Sequence, residues 1–181
     1  MEIQRFFNGK VVLITPKRFY DSRGFFSETY NQKNFEVEGI NATFIQDNFS
    51  QSIEKYTFRG LHFQSEPMAQ AKLVRVLKGS IVDVVVDIRQ DSESFLQSMS
   101  FELSFKDFNQ LYISPGFAHG FLTMEENTEI AYKVTEHYSP EHDVSLRADS
   151  PELLLNLPVS WDNMHLSEKD LNGISVSDLS R

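Results

Sequence analysis

Ten short runs rich in β-branched and aromatic residues follow one another along this chain, with almost no helical periodicity between them. The runs are Val11–Thr15, Gly24–Tyr30, Thr43–Phe49, Gly60–Gln64, Ala71–Leu77, Ser80–Arg89, Phe95–Leu103, Gln110–Ile113, Gly120–Met124 and Ile130–Thr135, with turn residues between several of them. Only Gln32–Val37 and a stretch capped by Ser167 and running through Leu171 read as helical turns. Strands this closely spaced, without helices of 10–15 residues between them, exclude alternating β/α architectures and predict an all-β sandwich, barrel or jelly roll. Sixteen Phe residues supply the bulk such a core needs. No repeat, low-complexity tract or linker divides the 181 residues, so a single domain over 1–181 is expected.

The longest run indicates how the walls are built. In Ile81–Arg89, Val82, Val84, Val86 and Ile88 alternate with positions that include Asp83, Asp87 and Arg89. Two architectures give this pattern. A small barrel with one packed face and a polar, ligand-lining lumen is one, and a half-solvated antiparallel sheet with both acids in water is the other.

Charge and cysteine content narrow the function classes. The formal net charge of −9 argues against a nucleic-acid partner. Residues 1–75 carry 10 Lys and Arg against 8 Asp and Glu, whereas 76–181 carry 7 against 18, so an anionic small molecule is expected to be gripped by the first half. With no Cys there is no disulfide, thiolate metal site or cysteine nucleophile, and a cytoplasmic location is the simplest expectation. The start of the chain lacks an apolar run of signal-peptide length and no segment approaches 18 apolar residues, which argues against export and membrane spanning.

The candidate reactive groups are spread along the strands. His62 and Gln64 share one face of Phe58–Gln64, with Leu61 and Phe63 on the other, and Arg59 and Lys72 offer two cations nearby. His119 follows Ser114-Pro115-Gly116 and reads as delivered by a tight turn, which also suits a plain hairpin. Metal-binding jelly rolls place ligands as His-x-His, but here that slot reads His62-Phe63-Gln64, and His137, His142 and His165 are scattered, so no metal site is expected. A set of His, Tyr, Lys and Arg suits proton transfer next to a carbonyl: His takes the proton, a cation stabilises the enolate and Tyr returns a proton. Tyr132 also suits a core position, and Asp170 also suits an ordinary first-turn helix acid.

Taken together, Asp21–Glu28, Gln46–Ser50, Arg59–Gln64, Ala71–Val76, Asp83–Arg89, Pro115–Phe121, Tyr132-Lys133 and Ser167–Asp170 resemble the dTDP-4-dehydrorhamnose 3,5-epimerases over residues 10 to 173. The resemblance implies a cupin-like jelly roll, a double-stranded β-helix barrel with a few short helices. It also implies a cofactor-independent epimerase that inverts C3 and/or C5 of a nucleoside-diphosphate 4-keto-6-deoxy sugar in surface-polysaccharide or deoxysugar biosynthesis.

By the same resemblance His62 is the base, Asp170 its orienting partner and Tyr132 the acid. Lys72 steadies the enolate oxygen, His119 holds the sugar or pyrophosphate, and Arg23 and Arg59 grip the diphosphate. Glu28, Gln46 and Asn48 complete the pocket, Tyr138 stacks on the base, Lys169 lines the mouth and Asp143 helps to hold the nucleotide. A homodimer is implied, with residues 1–15 as a dimer-forming N-terminal strand, Arg23 and Phe26 entering the partner's pocket, and 163–181 as a short helix and tail. Asp143 stands where the family usually has Glu, Ala148-Asp149-Ser150-Pro151 lacks a preceding Trp, and Phe95-Leu96 replaces a Tyr-Gly pair. Those departures leave open a GDP-linked 4-keto heptose and a 3-only or 5-only epimerase. The scaffold would also suit ketoisomerisation or a non-catalytic sugar-nucleotide-binding module.

Overall fold

The computed structural model describes residues 1–179. In chain order the elements are β1 (Glu2–Phe6), β2 (Val11–Thr15), β3 (Phe19–Asp21), β4 (Gly24–Phe26), α1 (Gln32–Val37), β5 (Gln46–Ser52), β6 (Phe58–Gln64), β7 (Lys72–Lys78), β8 (Ser80–Asp87), β9 (Ser98–Ser104), β10 (Gln110–Ile113), β11 (Phe117–Thr123), β12 (Thr128–Val134), β13 (Asp143–Ser145) and α2 (Glu168–Leu171). Two antiparallel sheets are built from them, in the orders β1-β2-β10-β7-β12-β5 and β13-β6-β11-β8-β9, while β3 and β4 form a separate hairpin. This is the jelly roll that the family resemblance implied, one of the all-β architectures left open by the strand spacing. No helix among the described residues is long and apolar enough to cross a membrane.

The two sheets close on a shared interior of Val11, Val74, Val76, Ile81, Val85, Leu103, Leu111, Ile113, Phe117 and Ile130. Both outer faces are covered as well. Phe35, Ile40 and Ala42, around α1, pack on Val12, Ile14, Leu73 and Tyr112 of the larger sheet. The C-terminal segment lays Leu153, Leu157, Trp161 and Val176 over Leu61, Val82, Val84, Val86 and Leu122 of the smaller one. At about 25 cal/mol per Å² of apolar surface, these three layers are the main source of stability.

Covering both faces corrects both expectations for β8. Asp83 and Asp87 are neither in water nor on a wholly polar wall, since both are fully buried and share their face with the apolar Ile81 and Val85. Each acid is therefore partnered. Asp87 accepts from Arg89 Nε at 2.8 Å, and from Ser92 Oγ and Ser94 Oγ at 2.6 Å each. Burial alone would raise its pKa, but Arg89 and the two hydroxyls outweigh it and hold the carboxyl at about 2.

Several element expectations also change. Residues 1–15 form a hairpin within the chain, β1 pairing with β2, rather than a single strand, and Phe6 packs edge-on against Phe101 and Phe7 against Phe117. The strand expected over Gly24–Tyr30 stops at Phe26. Glu28 there accepts from the side-chain amides of Asn31 and Asn34, which turns the chain into α1. His119 lies inside β11 rather than in the preceding turn.

Candidate active site

Two glycines shape the wall that carries the candidate base. The register between β6 and β11 runs His62 to His119 and Arg59 to Phe121, so β6 holds one extra residue at a bulge. Gly60 sits there at φ +129°, and a Cβ on it would lie 2.5 Å from Gly120 Cα and 2.8 Å from His119 O. Only glycine permits this approach. The bulge also shifts the alternation, turning Arg59 to the same side as His62 and Gln64, while Leu61 stays in the outer layer.

The apolar interior fills one part of the jelly roll, and the rest is an open cavity of about 610 Å³. Arg59, His62 and Gln64 of β6, His119 of β11 and Asp143 of β13 come from the smaller sheet. Ser50, Lys72 and Tyr132 come from the larger, and His165, Ser167, Lys169 and Asp170 come from the segment around α2.

His62 Nε2 lies 2.6 Å from Asp170 Oδ1. A carboxylate only accepts, so Nε2 carries the proton and Nδ1 is the basic nitrogen. Ser167, the N-cap of α2, accepts from Asp170 N and donates through Oγ to Asp170 Oδ2 at 2.9 Å. Burial of Asp170 pushes its pKa up, but the His62 contact and the Ser167 hydroxyl prevail and hold it below the usual carboxylate value. The ionised acid orients the ring and favours the imidazolium that forms when a proton is taken.

A second pair stands beside the first. His119 Nε2 lies 3.0 and 2.9 Å from the two oxygens of the buried Asp83. Burial lowers the His119 pKa more than Asp83 raises it, which favours a neutral ring donating to Asp83. Lys72 Nζ donates to His62 O at 3.3 Å, and burial, partly offset by Asp83 and Asp143, brings its pKa down to about 8. Tyr132, on the opposite sheet from His62, has its pKa raised chiefly by burial, so it keeps its proton and acts as a donor. The cavity thus brings together an imidazole, an ammonium and a phenol, groups of the kind that can remove a proton next to a carbonyl and return one from the other side.

The remaining expected residues divide into rim and distant groups. Arg59 is held at the edge by Nε to Ser52 Oγ and Nη2 to Gln51 O, both at 3.1 Å. Tyr138 donates to Asp143 Oδ2 at 3.0 Å, and Lys169 donates to the same oxygen. Gln46 donates to Asn48 Oδ1 at 2.8 Å and accepts from Tyr138 N at 3.4 Å, but neither lines the cavity, and Asn48 lines a separate cleft of about 300 Å³. Arg23 and Phe26 lie on the exposed β3–β4 hairpin, and Glu28 is taken up by the α1 entry, so none of the three joins this chain's own cavity.

Sequence reasoning did not assign Asp83, Ser167, Gln64 or His165 to the site. Asp83 was signalled by its place on the inward parity of β8, and Ser167 by its capping position three residues before Asp170. Among the described residues, no group of three or more His, Cys, Asp or Glu is arranged to hold a metal.

A family model described as dTDP-4-dehydrorhamnose 3,5-epimerase matches residues 8–178. A protein of that name from Sinorhizobium fredii is 45% identical over 170 residues, covering 94% of this chain and 87% of that protein. One from Salmonella typhimurium is 45% identical over 161 residues, with 88% and 87% covered. Among solved structures, the dTDP-4-dehydrorhamnose 3,5-epimerase of Bacillus anthracis with TDP and PPi bound aligns at a TM-score of 0.91 and 43% identity, covering 95% of this chain and 97% of that one. The dTDP-6-deoxy-D-glucose-3,5-epimerase of Legionella pneumophila in complex with dTDP-4-keto-L-rhamnose aligns at 0.91 and 38% identity, with 98% and 96% covered.

Proposed function

This chain belongs to the dTDP-4-dehydrorhamnose 3,5-epimerase family, and on that premise we propose that its cavity inverts carbon centres flanking the ketone of a dTDP-linked 4-keto-6-deoxy sugar. The 4-keto group acidifies the hydrogens at C3 and C5. His62 Nδ1 removes one, with Asp170 stabilising the resulting imidazolium. Lys72 balances the enolate oxygen, and the neutral His119 fixes the sugar beside it. Tyr132 then delivers a proton from the opposite face. The residues that move the proton belong to the protein itself, so the step calls on no cofactor.

The observation that carries this reading is the placement of the His62–Asp170 pair and Tyr132 on opposite sheets of one cavity. A binding module has no use for a buried carboxylate bonded to a histidine, nor a ketoisomerase for a donor on the far face. The relatives' names support thymidine rather than a guanosine-linked sugar.

Arg59 meets the diphosphate at the mouth, and Tyr138, with Asp143 and Lys169 behind it, stacks on the base. Arg23, Phe26 and Glu28 act in a partner's pocket, which makes the working form a homodimer, with Gln46 and Asn48 at the seam. A cytoplasmic setting, supported by the absence of cysteine, suits a nucleotide-linked substrate.

Incubation in deuterium oxide with dTDP- and GDP-linked 4-keto sugars, followed by NMR, tests the reading. Label at both C3 and C5 of the dTDP sugar is expected. Label at one carbon only would make the protein a single-centre epimerase, and turnover of the GDP sugar alone would overturn the nucleotide assignment.

A further inference from the structure

Gln64 occupies the slot where metal-binding jelly rolls place a ligand, but its amide is taken up differently. Nε2 donates to Met68 O at 2.7 Å and to His137 O at 3.1 Å, and Oε1 accepts from Ser139 N at 2.8 Å. Both amide hydrogens are therefore used, and the side chain is buried. It has no donor left to offer a substrate.

The two partners in the second loop flank a single residue. Gln64 holds the carbonyl before Tyr138 and the N–H after it, much as a neighbouring strand would hold an extended segment. The same amide ties that loop to Met68, in the connection between β6 and β7. Tyr138 itself is exposed; its own N–H reaches Gln46 Oε1 only at 3.4 Å, and its hydroxyl holds the ring tip to Asp143 Oδ2 at 3.0 Å, which leaves the backbone on either side to Gln64. Without Gln64 the backbone on either side of Tyr138 would lose its buried partner.

We infer that Gln64 is a positioning residue that fixes Tyr138 at the cavity mouth and so sets nucleotide affinity without taking part in proton transfer. The inference rests on the proposed function, in which Tyr138 meets the nucleotide base. It explains why an amide rather than a carboxylate follows His62 by two positions on the cavity face. A carboxylate there would present negative charge to two carbonyl oxygens.

Gln64→Glu removes both donors, and Gln64→Met removes every hydrogen bond at similar volume. Calorimetric titration with dTDP, and steady-state kinetics on the dTDP-linked keto sugar, read the effect. In each variant the Kd for dTDP and KM are expected to rise about tenfold, with kcat within about twofold of the parent. Tyr138→Ala is expected to raise Kd similarly, and combining it with Gln64→Met to add nothing further, since both act through one contact.

Unchanged dTDP affinity in the Gln64 variants, or fully additive losses with Tyr138→Ala, would overturn the inference. So would a fall in kcat at constant KM. Failure of both variants to fold would make Gln64 a structural residue and also overturn it. Failure of the unsubstituted protein to bind dTDP at all would instead refute the nucleotide reading beneath it.

Discussion

At the scale of single residues, the chemistry rests on a few side chains whose surroundings fix their protonation. His62→Asn removes the base and should abolish deuterium exchange at both carbons, a loss of about 10²–10⁴-fold. Asp170→Asn keeps the base and should cost less, and NMR-detected exchange at saturating substrate measures both. Lys72 gives a pH dependence of definite sign. Its ammonium is present below a pKa of about 8 and is lost above it, so kcat/KM should fall as pH rises through that value. Tyr132, with its pKa raised above the usual tyrosine value, does not contribute a limb in that range. Lys72→Arg keeps the cation to higher pH and should move the alkaline limb upward; a limb left at 8 in that variant would assign it to another group. His62, Lys72, Tyr132 and Asp170 were assigned their roles through the family resemblance, since the strand pattern alone left Tyr132 suited to a core position and Asp170 to an ordinary helix acid. The pairing of His119 with Asp83 was not, because it joins side chains 36 residues apart, on adjacent strands whose pairing no local pattern reveals.

At the scale of elements, what places the base is the bulge in β6 against β11. Gly60→Ala would push a methyl group into Gly120 Cα and His119 O at an already left-handed backbone. The expected cost is about 2 kcal/mol or more of stability. It should come with a loss of exchange activity larger than the fall in melting temperature explains, because Arg59 and His62 share that backbone. Thermal melts and exchange rates on one preparation test this, and wild-type exchange in a destabilised variant would separate the bulge from the chemistry. Strands that are nearly continuous apolar runs, such as β2 and β10, were readable to their ends. β3 and β13, three residues each, and the charged β1 were not, because strands so short or polar are defined by their partners rather than by their own pattern. α1 was readable to its ends and α2 to within its cap, since Asn31 and Ser167 cap them locally.

At the scale of the whole molecule, the jelly roll does two things that no single strand could. It leaves an aromatic hairpin, with Phe19, Tyr20, Phe25 and Phe26 exposed, outside its own cavity, and it brings two sheets to face one substrate. The first predicts a homodimer of twice 20.9 kDa in sedimentation at micromolar concentration. Mixing inactive His62→Asn with Arg23→Ala should regain about a quarter of wild-type activity, because half of randomly paired dimers then contain one intact site. A monomer, or no recovery on mixing, would leave the hairpin without that role. The all-β class was legible from strand spacing and the jelly roll from the family resemblance, whereas the covering of both outer faces was not, since it depends on where the C-terminal segment comes to lie. The facing of the two sheets is the central claim: His62 from one and Tyr132 from the other must act on opposite sides of the sugar. Tyr132→Phe removes the hydroxyl and keeps the ring. In deuterium oxide this variant should wash label into the substrate with retained configuration, since His62 still forms the enolate and returns solvent deuterium to the face it came from, while inverted product nearly disappears. Inversion at the wild-type rate in Tyr132→Phe would contradict the account.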